Sequence, residues 1–235
     1  MHPIQGGLCS VCGERLVSPH AFRGDHGTPR CGLCQRLDPP FARAAAYGSY
    51  ESGLRELIHM LKYQQVRPAA NVLGRMLAEV IAGFEPFWAD ARLVVIPVPL
   101  FAAKLRQRGF NQAELIARVA LKLSPTRERY TLEKDVLERS RDTQSQTGLT
   151  PHQRRENLRG AFKVKDRDKI SGREILLVDD VFTTGATASE CARVLRRAGA
   201  SRVWVATVAR TLKAEVKGIR FEPEDSTSLT MAAHG

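Results

Sequence analysis

The sequence predicts an α/β protein, a parallel sheet flanked by helices, with a small cysteine-rich module near its N-terminal end. Three observations carry that expectation. From about residue 92 onward, strand-like apolar runs alternate with helix-spaced stretches, the order that builds crossover units. The run ILLVDD ends in two adjacent aspartates, Asp179 and Asp180, and continues through a Thr/Gly turn into a helix-like stretch. Two C-x2-C pairs, Cys9/Cys12 and Cys31/Cys34, stand 18 residues apart.

Residues 1–40 are rich in Gly, Pro and Cys and have almost no apolar periodicity, so they cannot make a hydrophobic core and need a staple. Pro39-Pro40 closes that segment. A helical lead-in is expected over 41–90. Within it Leu54, Leu57, Ile58 and Leu61 fall at i, i+3, i+4 and i+7, one helix face ending near Lys62-Tyr63. A second amphipathic helix is expected over about 69–83. RLVVIPVPL reads as a short buried strand over 93–96 halted at Pro97, because proline cannot continue a central ladder.

The stretch NQAELIARVALKL, 111–123, has helical spacing. Residues 124–174 are polar and charged, with weak strand signals at YTLEKDVL and GAFKV. Between those signals RSRDTQSQTGLTPHQRREN reads as a mobile loop leading into a short helix. ILLVDD is a strand, 186–198 a helix and RVWVATVAR another strand. The tail after Lys213 has little apolar content and is expected to fray. This divides the chain into a cysteine module over 1–40, a main domain over 41–212 and a tail over 213–235.

A length of 235 residues suffices for one α/β domain with an appendage. The chain has no run of about 18 apolar residues, so a membrane span is not expected. MHPIQGGLCSVCGERL lacks the basic and apolar regions of a secretory signal, which makes the cytoplasm the expected location. The formal net charge is +11. Most of that surplus lies at 100–165, with fifteen Lys/Arg against seven Asp/Glu. Such a field suits a solvated face, or a polyanion such as a phosphorylated small molecule or nucleic acid.

In a parallel sheet, ligands bind beyond the carboxyl ends of the strands. The turn after ILLVDD also opens a helix, whose unpaired N–H groups and positive dipole end attract anions. Thr183, Thr184, Gly185, Ala186 and Thr187 suit a phosphate: the threonines bring hydroxyl donors and the small side chains leave room. Adjacent carboxylates would repel that phosphate unless they face hydroxyl groups or a metal ion. A sugar diol meets the requirement, and so does Mg²⁺ bridged to a diphosphate. The stretch therefore reads as a cradle for a phosphorylated sugar.

The cysteine pairs match the two knuckles of a tetrahedral Zn²⁺ site, with Cys9, Cys12, Cys31 and Cys34 as ligands. Gly13 and Gly32 directly follow one cysteine of each pair, as tight turns require. A redox C-x-x-C is the rival, but such motifs rarely come doubled. His20 and His26 lie between the pairs and are not needed as ligands. Cys191 falls on the apolar face of the 186–198 helix and is expected in the core.

ILLVDDVFTTGAT resembles the signature of type I phosphoribosyltransferases, which bind phosphoribosyl pyrophosphate (PRPP). By that resemblance Asp179 and Asp180 contact the ribose hydroxyls and residues 183–187 the 5′-phosphate. VVIPVPL resembles the pyrophosphate-loop strand of the glutamine amidophosphoribosyltransferase subgroup. This implies a pyrophosphate loop at about 97–102, including Pro99, Leu100 and Phe101. KLRQRGFNQAELIA, LRELIHMLKY and RDTQSQTGLTPHQRRENLRGAF are similar to stretches of the ComF competence family. With the cysteine pairs, the chain is identified as a member of that family over nearly everything from residue 9 to about 210.

The resemblance implies a type I phosphoribosyltransferase fold with an N-terminal zinc ribbon built on the four cysteines. It places Lys104, Arg106 and Arg108 where they could neutralise a pyrophosphate. It places Arg139, Arg141, Thr143, Gln144 and Gln146 in a mobile hood that would exclude water from bound PRPP.

Two functions follow as expectations. One is a phosphoribosyltransferase that binds PRPP with Mg²⁺ and passes the ribosyl group to an unspecified acceptor, in a setting of DNA uptake or utilisation. No residue stands out as a general base, and no glutaminase nucleophile is found at residue 1 or 2. The other is a non-catalytic DNA-processing module that binds single-stranded DNA alongside a competence helicase and recombination proteins. Such binders pair a basic groove with stacking aromatics, and Phe101, Phe110 and Phe162 are the few aromatics near the basic stretch.

Overall fold

A computed structural model of the chain describes residues 4, 6–16, 28–88, 91–142 and 150–212. Its centre is a five-stranded parallel sheet in the order β1-β7-β6-β2-β3. The strands are β1 (Arg43–Ser49), β2 (Leu93–Pro97), β3 (Tyr130–Leu132), β6 (Glu174–Phe182) and β7 (Arg202–Arg210). A separate antiparallel pair joins β4 (Leu137–Arg139) and β5 (Phe162–Val164). The central strands β2, β6 and β7 are nearly continuous apolar runs, as a sheet buried on both faces requires.

Helices α2 (Ser52–Tyr63), α3 (Ala69–Ala82) and α5 (Gln112–Leu123) cover one face. There Leu93, Val95, Leu176, Val178 and Trp204 pack with Leu54, Ile58, Leu73, Leu77 and Ile116. Helices α3 and α5 touch closely because Gly74 lacks a side chain: a Cβ there would lie 2.4 Å from Val119. The opposite face is covered by α7 (Ala186–Arg197), the β4–β5 pair and the N-terminal cysteine module with its helix α1 (Gly32–Leu37). Cys191 lies in this second core, fully buried, as its place on the helix predicts. The remaining helices are α4 (Ala102–Arg108), just beyond β2, and α6 (Pro151–Leu158), which opens with a Thr150/Gln153 capping box.

The lead-in expected to be helical over 41–90 needs correction at its start. Residues Arg43–Ser49 form β1, registered against β7 from Arg43↔Trp204 to Ser49↔Arg210. Small residues in RAAAYGS give no alternation to read, and the partner strand lies far away in sequence. The strands and helices expected from about 52 to 83, 93 to 97, 111 to 123 and 174 to 210 are found where the pattern predicts them, whereas α1 and α4 have no counterpart in the sequence reading. The expected tail over 213–235, His20, His26 and the hood residues Thr143, Gln144 and Gln146 lie outside the described residues. Among the described residues no helix is long and apolar enough to cross a membrane.

The topology positions the site. From β2 the chain leaves through α4 and α5 to β3 on one side; from β6 it leaves through α7 to β7 on the other. Neighbouring strands whose connections depart in opposite directions open a crevice at their carboxyl ends.

Candidate phosphoribosyl site

The crevice between the ends of β2 and β6 is an open cleft of about 150 Å³. Val98, Pro99 and Leu100 line one side and Asp179 the other. Lys62, Tyr63, Lys104, Arg108, Gln112 and Arg139 complete the wall. Residues from α2, the segment after β2, α4, α5, β4 and β6 thus converge there, and four of them are cations.

The two aspartates have separate surroundings, as alternation along a strand requires. Asp180 is 3% exposed and faces the α2/α5 side. One of its oxygens pairs with the Lys62 ammonium. Its Oδ1 accepts from Gln112 Nε2 at 3.1 Å, and Gln112 Oε1 accepts in turn from buried Arg108. Burial alone would raise the Asp180 carboxyl, but the Lys62 ammonium holds it below its ordinary range. Lys62 is raised because its attraction to Asp180 outweighs burial.

Asp179 lines the cleft and also a small recess beside the turn after β6. Its Oδ1 accepts from the Asp180 backbone N–H at 2.9 Å. Burial, then repulsion from the Asp180 carboxylate, pushes the Asp179 carboxyl well above the usual range. Of the acidic pair, Asp179 is the one presented to the cleft.

The Thr/Gly turn runs from β6 into α7. Gly185 is the N-cap at φ 77°, and no side chain caps the helix. A Cβ at Gly185 would also lie 2.6 Å from the ring of Phe182, so close approach and dihedral both demand glycine. Thr183 is exposed, Thr187 half-buried, and Ala186 begins the helix. The Thr184 hydroxyl oxygen is buried and lacks a hydrogen-bond partner among the described residues. An uncapped helix N-terminus beside an orphaned hydroxyl suits a phosphate.

The basic stretch after β2 is helix α4 rather than open loop, and it divides by position. Lys104 and Arg108 line the cleft; Arg106 is exposed and does not. Burial, and then the positive charges of Arg108, Arg139 and Lys62, depress the Lys104 ammonium. Phe101 forms a parallel bridge with Arg139, joining the segment after β2 to β4.

GFNQ then turns the chain. Gly109 is the left-handed C-cap of α4, Phe110 is buried, and the Asn111 side chain accepts from Ala113 N while donating to Val98 O at 3.0 Å. Phe162 is also buried, so neither it nor Phe110 can stack on a nucleic-acid base.

Of the residues expected in a hood, Arg139 reaches the cleft. Arg141 instead donates to the carbonyls of Asn157 and Arg159, at 2.9 and 3.0 Å. It thereby ties the residues just after β4 to the end of α6. Lys62, Tyr63, Val98 and Gln112 line the cleft although sequence reading does not single them out as site residues, and Lys62 is the charged one among them. Its only local sign is a cation in the last turn of α2.

The four cysteines of the N-terminal module meet as their spacing predicts. Cys9 and Cys12 lie on a hairpin closed by a Leu8↔Arg15 bridge, while Cys31 caps α1 and Cys34 lies on it. All four are buried, and their sulfurs lie within 4.8 Å of one another. Cys12 Sγ and Cys31 Sγ are 3.7 Å apart, close to the edge of about 3.8 Å that a tetrahedral zinc–thiolate centre has. The donor set fits a tetrahedral metal ion.

A parallel sheet with this switch point, an acidic strand end, a T-T-G-x-T turn and a four-cysteine ribbon define a type I phosphoribosyltransferase fold with an N-terminal ribbon. The model of the phosphoribosyl transferase domain family matches residues 107–222. The DNA utilization protein YhgH of Escherichia coli is 32% identical over 213 residues, covering 88% of this chain and 91% of that protein. Competence protein F of Haemophilus influenzae is 30% identical over 218 residues, covering 89% and 93%. Competence protein ComFC of Bacillus subtilis is 26% identical over 196 residues, covering 83% and 74%. The chain belongs to the ComF family.

Among solved structures, an allosteric regulatory enzyme of purine biosynthesis matches with TM-score 0.36 and 23% identity over 60% of this chain. The match spans 26% of that enzyme's own length. A hypoxanthine phosphoribosyltransferase from Staphylococcus aureus gives TM-score 0.35 and 14% identity, covering 62% of this chain and 68% of that one.

Proposed function

We propose that the crevice between β2 and β6 binds PRPP with Mg²⁺, and that the protein is a phosphoribosyltransferase acting on an acceptor in DNA uptake or utilisation. The observation that carries this reading is the convergence of Lys62, Lys104, Arg108 and Arg139 on one cleft that also contains Asp179. Burial and the charges of Arg108, Arg139 and Lys62 together depress the Lys104 ammonium, and a diphosphate in the cleft would relieve that repulsion.

In this reading the turn at 183–187 holds the 5′-phosphate through backbone N–H groups and threonine hydroxyls. Asp179 accepts hydrogen bonds from the ribose hydroxyls. Asp180 contributes indirectly, by fixing Lys62 and, through Gln112, Arg108. Pro99 and Leu100 shape the wall under the pyrophosphate, while Phe101, expected beside them, does not line the cleft and bridges to Arg139 instead. Mg²⁺ accompanying the substrate would offset diphosphate charge near Asp179. Charge develops on the departing pyrophosphate, so fixed cations rather than a general base supply the stabilisation. Arg139, at the cleft wall, belongs to the cover that keeps water out.

The four-cysteine site is proposed to hold one structural Zn²⁺. The ribbon over 1–40, the ligand-binding body over 41–212 and the tail over 213–235 remain the proposed division. Free thiols and the absence of disulfides among the described cysteines fit a cytoplasmic setting. The names of the relatives, DNA utilization and competence, support a DNA-linked pathway. Burial of Phe110 and Phe162 weighs against a dedicated single-strand binding groove at the basic stretch.

Isothermal titration of the full chain with PRPP and Mg²⁺ tests the site. Saturable heat for the wild type, lost in Asp179→Asn, is expected. A silent wild-type titration would sink the PRPP reading. Pyrophosphate release across a panel of nucleobases and amines then separates a transferase from a PRPP-binding sensor.

A further inference from the structure

Arg210 is the last residue of β7 and is 2% exposed. Its guanidinium reaches into the cysteine ribbon. Nη1 donates to the carbonyl oxygen of Cys12, and Nη2 pairs with Glu14 Oε2 at 2.8 Å. The turn between them, Gly13, packs so closely on the sheet that a Cβ would lie 3.1 Å from Ala44 O and 3.4 Å from Arg210 itself.

The same guanidinium stands over the ring of Phe182, 5.3 Å from its centroid. Phe182 ends β6 directly across from Arg210, and its carbonyl accepts from Thr211 N at 3.0 Å. Its ring is fixed on another side by an edge contact with Phe41 at 6.1 Å. That ring supports Gly185, the position where no Cβ fits. An unbroken line of contacts therefore runs from the Cys12 knuckle through Arg210 and the Phe182 ring to the turn at 183–187.

We infer that Arg210 is a positioning residue that couples the cysteine ribbon to the phosphate-binding turn. The guanidinium fork holds two ribbon groups and one aromatic face at once, a geometry that an ammonium cannot reproduce. When the Cys9–Cys12 knuckle is ordered, the Cys12 carbonyl and Glu14 keep the fork in place. The Phe182 ring then keeps Gly185 in its left-handed conformation. When the knuckle loosens, the fork loses two partners and the ring its cover. The metal site thus acts on a ligand loop it does not touch. The coupling itself concerns this chain's residues; only its effect on ligand rests on the PRPP reading.

The test uses the full chain, as wild type, Arg210→Lys and Glu14→Gln, each checked for folding by circular dichroism. Hydrogen exchange of the 183–187 amides is followed with and without a zinc chelator. Exchange in Arg210→Lys, and in the chelated wild type, is expected to be at least about fivefold faster, the low end of site-to-site coupling. Glu14→Gln, which weakens one arm of the fork, should show a smaller change in the same direction if Arg210→Lys does not fold. Unchanged exchange at 183–187 in the variants and the chelated protein overturns the coupling. Calorimetry with PRPP and Mg²⁺ on the same proteins separates the two readings. Faster exchange without any PRPP heat in the wild type would leave the coupling and remove the ligand.

Discussion

Lys62 and Asp180 form a buried ion pair at the base of the cleft, their side chains 19% and 4% exposed. Truncating one partner would leave the other charge buried without compensation. Lys62→Met is therefore expected to lower stability by about 3–5 kcal/mol, and the Lys62→Met/Asp180→Asn double variant to recover part of it. Urea denaturation of the wild type, Lys62→Met, Asp180→Asn and the double variant measures the coupling. Asp180 is depressed, so its contribution is present above the ordinary carboxylate range and lost as pH falls through its lowered value. Lys62 is raised, so its contribution is lost only as pH rises above 10.5 toward its folded value.

Asp179 has the opposite sign. Its raised carboxyl means that the folded, ligand-free protein loses stability as pH rises from the ordinary carboxylate range through that raised value. Asp179→Asn removes this cost, so the ligand-free variant should melt higher than wild type at neutral pH while failing to bind PRPP. Paired thermal melts and titrations check both halves, and a lower melting temperature would contradict the electrostatic account.

Gly185→Ala meets both a left-handed dihedral and the Phe182 ring. A loss of about 1–3 kcal/mol is expected from the strained backbone. The same variant should lose PRPP affinity, because the turn must move to admit the methyl group. Chemical denaturation and titration of one preparation read both effects.

Metal analysis should give one zinc per chain for the wild type, lost in Cys9→Ser and in Cys31→Ser. These sulfurs share a core with Phe41, Ala44 and Val205, so the substitutions should also lower the melting temperature of the whole body. A ribbon melting independently, with the main transition unchanged, would contradict that shared core.

Lys104 titrates below 10.5 because burial and neighbouring cations disfavour its charge. PRPP affinity should therefore decline as pH rises through that lowered value, before free lysine would lose its proton. Lys104→Ala should weaken binding and flatten this dependence in titrations across alkaline pH. Ligand binding in the same range should take up a proton, seen as heats that vary with buffer ionisation enthalpy.

Legibility follows sequence distance. The strand–turn–helix at 175–197 can be read directly because apolar run, acidic end, glycine and helix spacing are contiguous. The paired cysteines are equally plain, since each knuckle is a four-residue unit. By contrast β1 is hidden: RAAAYGS has no period, and its strand character comes from hydrogen bonds to β7. The basic stretch announces positive charge but not which residues face the cleft; the helical turn of α4 sorts Lys104 and Arg108 from Arg106.

The amino-acid order by itself determined the α/β class, the strand–turn–helix proposed to hold a phosphate, the four cysteines that cluster and the family to which the chain belongs. These rest on residue types at short spacing, where local geometry leaves few alternatives. The tertiary structure alone decided which acid meets the cleft, because alternation on β6 turns Asp180 toward Lys62 and leaves Asp179 lining the site. It also placed Arg210 between ribbon and turn, although 198 positions separate it from Cys12. Contacts of that reach depend on the register of parallel strands, which no local pattern encodes.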